Sequence, residues 1–264
     1  MPTLRTSVRS AQCRHGDFIY HSEDRFLGTS LRIYGEWSED EVLMYDAFLK
    51  PTDIAIEVGA NIGALTIPLS RRCKKVFAFE PQPQSFELLT RNLLGNGIYN
   101  VEAFYYAVGA KDEIVGMPTL KEVDVAHGVI GDYGGPEVGY GSCIVEQRAL
   151  DGMKVFNDTR INFIKMDCEG SELDVLKGAE KLITRNWPLI YTENDKIGKS
   201  EALIGWLVDH GYHCYWHRPP LYREDNFRKY NDNIFGNSNS INMICIHGKV
   251  IKSDWTKEEV KDLR

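Results

Sequence analysis

Residues 53–63, Asp-Ile-Ala-Ile-Glu-Val-Gly-Ala-Asn-Ile-Gly, constrain this chain more than any other stretch. Ile54, Ala55, Ile56 and Val58 form a short apolar run of the kind that makes a strand buried on both faces of a parallel sheet. A glycine turn follows at once, and residues 64–70 can start a helix. Strand, turn and helix together set free backbone N–H groups and the positive end of a helix beside a surface that admits close approach. The stretch therefore predicts a cofactor-binding edge in an α/β fold.

Glu57 separates this edge from an ordinary dinucleotide turn, because it puts a carboxylate at the strand end just before the first glycine. A pyrophosphate is repelled there, whereas a ligand bearing an ammonium group and ribose hydroxyls is favoured. The Gly-x-Gly-x-x-Gly pattern of dinucleotide sites also fails, with Asn61 in place of its second glycine. A second apolar run, Val76 to Phe79, ends in Glu80, about the right distance on to receive a ribose. Two strand-end acids facing one crevice favour S-adenosylmethionine over a nicotinamide dinucleotide.

The rest of the chain is compatible with one α/β domain. Its 264 residues suffice for a substantial core. A formal charge of −7 argues against a surface built to hold nucleic acid, which needs clustered Lys and Arg. Six cysteines are scattered without a Cys-x-x-Cys pair and predict reduced thiols in a cytoplasmic protein. No apolar stretch is long enough for a membrane span, and the first residues lack the apolar core of a signal peptide.

Taken in order, residues 1–36 predict a small extension, either a hairpin or a loose arm. A helix follows over 38–49, with Ser38 as N-cap and Glu41 in capping-box position. Tyr34 and Glu36 lie in the loop before it and are placed to close over a substrate. Pro81 and Pro83 break the second strand and open a helix that the glycines at 95 and 97 stop. A third strand is expected over 101–108. Strand, helix, strand, helix, strand is half of a doubly wound sheet. The Gly-rich residues 110–148 lack helical period and predict a β or loop excursion. The main domain runs over 37–250, and residues 251–264 form a tail.

A buried strand at 161–166 ends in Asp167-Cys168-Glu169-Gly170, and a helix is expected from 171 to about 186. Asp167 and Glu169 are the catalytic candidates, since they sit at a carboxyl strand end where such sheets bind ligands. Glu193 ends the next strand and is assigned to the substrate, as are Trp216 and His217 at the end of a strand over 213–217. No metal site is assigned. Asp167, Glu169, Glu193, Asn194 and Asp195 offer oxygens suited to Mg²⁺ or Ca²⁺, and among His210, His213, Cys214 and His217 the strand residues put His213 and His217 on one face and Cys214 on the other.

With these residues in view, the sequence resembles the FkbM family of S-adenosylmethionine-dependent methyltransferases. The resemblance rests on Glu57-Val-Gly-Ala-Asn-Ile-Gly, Phe79-Glu-Pro, Ile164-Lys-Met-Asp-Cys-Glu-Gly-Ser-Glu and Leu176-Lys-Gly-Ala. It implies a mostly parallel seven-stranded sheet with a final antiparallel strand. It also implies O-methylation of a hydroxyl, often on a sugar, glycan or natural product. Carried onto this chain, Gly59, Ala60, Asn61 and Gly63 line the methionine part of the donor. Glu80, with Pro81 beside it, holds the ribose hydroxyls, and Ala107 and Val108 lie near the adenine. Many relatives carry Asp where this chain has Glu57. Other outcomes remain open: a nicotinamide-dependent oxidoreductase, or a non-catalytic binding protein that keeps the fold. A homo-oligomer is also left open.

Overall fold

The computed structural model describes residues 7–118 and 142–250; the middle of the 110–148 excursion and the tail at 251–264 lie outside them. The described chain opens on an antiparallel hairpin, β1 (Val8–Cys13) and β2 (Gly16–His21). It is not a loose arm. Phe18 and Tyr20 are buried in the core, and the Asn92 amide brackets Ile19, accepting from its N–H at 2.7 Å and donating to its carbonyl at 2.9 Å. A helix that the sequence pattern did not announce, α1 (Leu27–Ile33), follows.

The next helix, α2 (Glu39–Phe48), occupies the expected span, but its start differs. Ser38 has left-handed backbone angles and caps no backbone N–H. Its hydroxyl donates instead to Glu41 Oε1 at 2.7 Å, because both side chains are buried and satisfy one another.

The central sheet is then laid down by β3 (Ile54–Val58), the short helix α3 (Thr66–Ser70), β4 (Lys75–Phe79), α4 (Pro83–Gly95) and β5 (Val101–Phe104). The third strand of the sequence pattern is two. After Phe104, which stacks on Phe79 at 4.9 Å, the chain leaves the sheet, and β6 (Ala107–Val108) joins β7 (Glu113–Pro118) and β8 (Ser142–Arg148) in a separate three-stranded sheet. The excursion therefore contributes β structure on either side of its undescribed middle.

After β9 (Phe163–Met166), the single helix expected from 171 to 186 is divided into α5 (Glu172–Gly178) and α6 (Glu180–Asn186). Gly178 packs so closely on the Gly109 carbonyl that a Cβ there would collide with it. The Asp151 carboxylate then accepts from the Lys181 and Leu182 N–H groups at 2.9 and 2.8 Å, capping a new helix start. The chain finishes with β10 (Leu189–Glu193), α7 (Ile197–Asp209), β11 (Tyr212–His217) and β12 (Asn242–His247).

The seven-stranded sheet has the order β11-β12-β10-β9-β3-β4-β5. Five strands from β10 to β5 are parallel, and β12 runs antiparallel to both its neighbours. Side chains alternate between two cores: Ala55, Val76 and Ala78 face one, and Ile56, Val58, Phe77 and Phe79 face the other. Burial on both faces is why these strands read as apolar runs, at about 1.5–3 kcal/mol for each large side chain removed from water. Among the described residues no helix is long and apolar enough to cross a membrane.

Candidate active site

The carboxyl ends of β3, β4 and β9 are bound to one another just past their last residues. Gly59 and Ala60 both donate their N–H to the Phe79 carbonyl, at 2.9 and 3.0 Å, and Asp167 donates its N–H to the Val58 carbonyl at 3.0 Å. The three ends open onto a cleft of about 450 Å³, within the range of small-molecule sites. Its wall includes Glu57, Gly59, Ala60, Asn61, Glu80, Pro81, Ala107 and Val108.

The glycine turn does two jobs. Gly59, at φ +83°, lets the Asp167 carbonyl approach where a Cβ would collide, so it fits one strand end against the next. Gly63, at φ +88°, lies outside the cleft wall, where a Cβ would sit 2.9 Å from Leu89 Cδ1; its close approach is to the core, a correction to its expected place beside the ligand. Asn61, left-handed at φ +50°, donates its N–H to Glu80 Oε2 at 2.8 Å, and Gln82 donates its N–H to Oε1 at 2.8 Å. Two backbone donors thus fix both oxygens of Glu80 and leave further lone pairs free for hydroxyl donors. Burial pushes Glu80 up to about 7 against the pull of those N–H groups.

Glu57 is 1% exposed, and neither carboxylate oxygen has a hydrogen-bond partner among the described residues. Lys165 lies opposite it in the β3–β9 register, Nζ to Oε1 at 3.9 Å. Burial pushes Glu57 up to about 7, and Lys165 and the nearby Thr66 hydroxyl only partly oppose this. A buried carboxylate without a partner is costly, and a ligand cation relieves that cost. Lys165 also reaches Asp167 Oδ2 at 3.4 Å. Burial alone would favour its neutral form, but Asp167, Glu57 and Glu41 outweigh it and hold the ammonium well above its ordinary range.

A second acidic group lies beside the first. Asp167, Glu169 and Glu193 each offer a carboxylate oxygen within 4.8 Å of the others, a geometry that can hold a cation. Lys196 already answers part of this charge, binding Glu169 Oε2 and Asp195 Oδ2 at 2.8 Å each. Burial and the neighbouring acids raise Glu169 to about 7 and Glu193 to about 10. Asp167, 41% exposed at its side chain, is the accessible member.

Of the residues assigned to the substrate, Glu193 lines the cleft and four do not. Tyr34 is buried as the C-cap of α1; its hydroxyl donates to the Asp232 carbonyl at 2.9 Å and accepts from the Ile234 N–H at 2.8 Å. Glu36 is buried against Arg14, 2.8 Å away, and accepts the Phe227 N–H. Trp216 packs on the core, and His217 Nδ1 pairs with the Tyr191 hydroxyl at 2.9 Å. The reason lies in the topology, which puts β11 at the sheet edge with β12 between it and β10. Phe26, Trp37 and Glu41 supply the wall instead, with Lys165, Gln147 and Ser240. Lys165 carried a signal, a lone charge inside the buried run of residues 161–166. Nothing in the sequence marked Phe26 or Trp37.

The family model described as the methyltransferase FkbM domain matches residues 57–214, more than half of the chain. The chain is similar to methyltransferase 1 of Beauveria bassiana, at 28% identity over 168 residues, 55% of this chain and 65% of that protein. It is also similar to the hexuronic acid methyltransferase AglP of Haloferax volcanii, at 28% over 145 residues, 54% of this chain and 56% of that protein. The matches thus span less than two thirds of either relative. Among solved structures, the precorrin-6y C5,15-methyltransferase of Geobacter metallireducens aligns with a TM-score of 0.50 at 12% identity, over 79% of this chain and 87% of that one, a likeness of fold.

Proposed function

The chain belongs to the methyltransferase FkbM family, whose methyl donor is S-adenosylmethionine, and from that premise we propose that it methylates a hydroxyl oxygen of a sugar, glycan or hydroxylated natural product. The cleft residues fit the donor. The unpartnered Glu57 carboxylate suits its ammonium group, and the fixed Glu80 carboxylate suits two ribose hydroxyls. Gly59, Ala60 and Asn61 border its methionine part, with Pro81, Ala107 and Val108 around its nucleoside part. When bound, it supplies a methyl group on a positively charged sulfur, ready for in-line transfer.

The protein's own part is alignment and proton handling. Asp167 accepts the acceptor hydroxyl's proton on a carboxylate oxygen and passes it to solvent. The Lys165 ammonium, held charged by its three acidic neighbours, stabilises the negative charge that develops on the acceptor oxygen. Glu169 and Glu193 receive other hydroxyls of the acceptor, and Lys196 holds Glu169 in place. The observation that carries this assignment is the half-exposed Asp167 3.4 Å from the buried Lys165 ammonium at the strand ends that meet the glycine turn. The relative whose name specifies hexuronic acid supports testing sugars first.

The test is transfer of labelled methyl from the donor to a panel of hydroxylated acceptors by wild type and Asp167→Asn. Transfer to oxygen, lost in the variant, is expected. Transfer to nitrogen or carbon alone, or undiminished transfer by the variant, overturns the proposal.

A further inference from the structure

Part of the cleft wall is made by segments that flank the family-matched residues 57–214. Phe26, Leu27, Trp37 and Glu41 come from before it, and Ser240 from after it. The two flanks are bound to each other. Arg14 donates to the Asp225 carbonyl at 2.8 Å, Arg223 pairs with Asp40, Phe26 stacks on Phe235 at 6.0 Å, and Tyr34 is held between Asp232 and Ile234. A wall fixed by contacts so far apart in sequence is rigid enough to select a ligand.

Trp37 is the distinctive member of that wall. It is half-buried, packed on one side against the core that includes Tyr45 and Leu65, and part of the cleft surface on another. Among the described residues its indole N–H is not one of the buried polar atoms left without a partner, so it is open to solvent or to a ligand in the cleft. A flat aromatic face carries partial negative charge and attracts polarised C–H groups, and the edge N–H offers a donor to oxygen. The same cleft presents Glu41, Asp167, Glu169 and Glu193 as acceptors for hydroxyls. Against these acids stand Lys165, already shared with Glu57 and Asp167, Lys196, bound to Glu169 and Asp195, and the exposed Lys199. An added carboxylate would have to lose its hydration beside Asp167 and beside carboxyls that burial and their neighbours already hold above the ordinary range.

We propose that Trp37 and the flanking wall form an acceptor subsite for an uncharged saccharide ring, which lays its C–H face on the indole, turns its hydroxyls to the acids, and is preferred to a uronate. The inference rests on hydroxyl methylation as the reaction and adds a binding residue outside the family-matched segment.

The experiment is saturation-transfer NMR and calorimetry on the full chain loaded with S-adenosylhomocysteine. The probes are the methyl glycosides of glucose, galactose, mannose and rhamnose, with the glucuronate and galacturonate counterparts. At least one neutral glycoside is expected to bind, and its uronate to bind at least about tenfold more weakly. Trp37→Ala should weaken that glycoside by about tenfold or more, Trp37→Phe by only a few-fold, with S-adenosylhomocysteine affinity within about twofold of wild type. The retained nucleotide affinity also shows that the variants are folded. Equal or tighter binding of the uronates, full affinity in Trp37→Ala, or no binding of any neutral glycoside overturns the subsite. The two proposals fail separately. Saccharide binding that needs Trp37 without any methyl transfer to it would keep the subsite and remove hydroxyl methylation, whereas transfer to a non-saccharide hydroxyl unaffected by Trp37→Ala would do the reverse.

Discussion

The two halves of the cleft are built in opposite ways. The half assigned to the donor comes from contiguous strand ends, Glu57 to Asn61 and Glu80 to Gln82, tied by backbone hydrogen bonds of 2.8 to 3.0 Å. The half assigned to the acceptor is assembled from distant segments: Tyr34 meets Asp232 and Ile234 about two hundred residues away, and Arg14 meets Asp225. A local design fixes a ligand through the backbone, and side chains need only preserve charge. A non-local design fixes it through side-chain packing, which changes without disturbing the sheet. One fold can thus keep its donor and alter its acceptor.

The comparison predicts that damage to one half spares the other. The largest effect is expected at the junction, where Asp167→Asn should lower turnover by about 10²–10⁴-fold while nucleotide affinity stays within about twofold. Steady-state rates together with calorimetry decide this, and a parallel loss of nucleotide binding would merge the two halves. Next in size is Tyr34→Phe, which leaves the Asp232 carbonyl and Ile234 N–H without their buried partner. It should cost about 1–3 kcal/mol in denaturant unfolding, with nucleotide affinity unchanged in the folded protein. Nucleotide affinity that falls with it would show the acceptor wall supporting the donor half.

A smaller effect concerns protons. Glu57 and Glu80 are raised from about 4.5 to about 7 in the folded chain, so between those values the native state holds protons that the unfolded chain releases. Their contribution to stability is fully present below about pH 4.5 and is lost as pH rises through about 7. A ligand ammonium beside Glu57 favours the ionised form. S-adenosylhomocysteine binding near pH 6.5 should therefore release up to about one proton, read from binding heats in buffers of different ionisation enthalpy. Binding without proton release would remove Glu57 as the ammonium partner.

The same contrast explains what the sequence disclosed. The half assigned to the donor was legible as one wall of a cleft because a buried strand, a glycine turn and a strand-end acid are contiguous and leave the backbone few alternatives. Even there, the reasons for the glycines were not fully visible: Gly59 makes room for the Asp167 carbonyl and Gly63 for Leu89. The acceptor half was obscure because pattern does not show which flank crosses which strand end. Tyr34 and Glu36 looked like loop residues and are buried braces. Trp216 and His217 sit at a strand end, yet β12 separates β11 from the parallel strands. Trp37, next to a predicted helix start, gave no sign that its side chain borders the cleft.

The central claim is that strand-end carboxylates hold the nucleotide donor. Calorimetric titration of S-adenosylhomocysteine into wild type and Glu80→Ala tests it most directly. One site per chain is expected, weakened about 10–100-fold by loss of the two charge-assisted ribose contacts. Equal affinity in the two proteins, or no binding to the wild type, would contradict it.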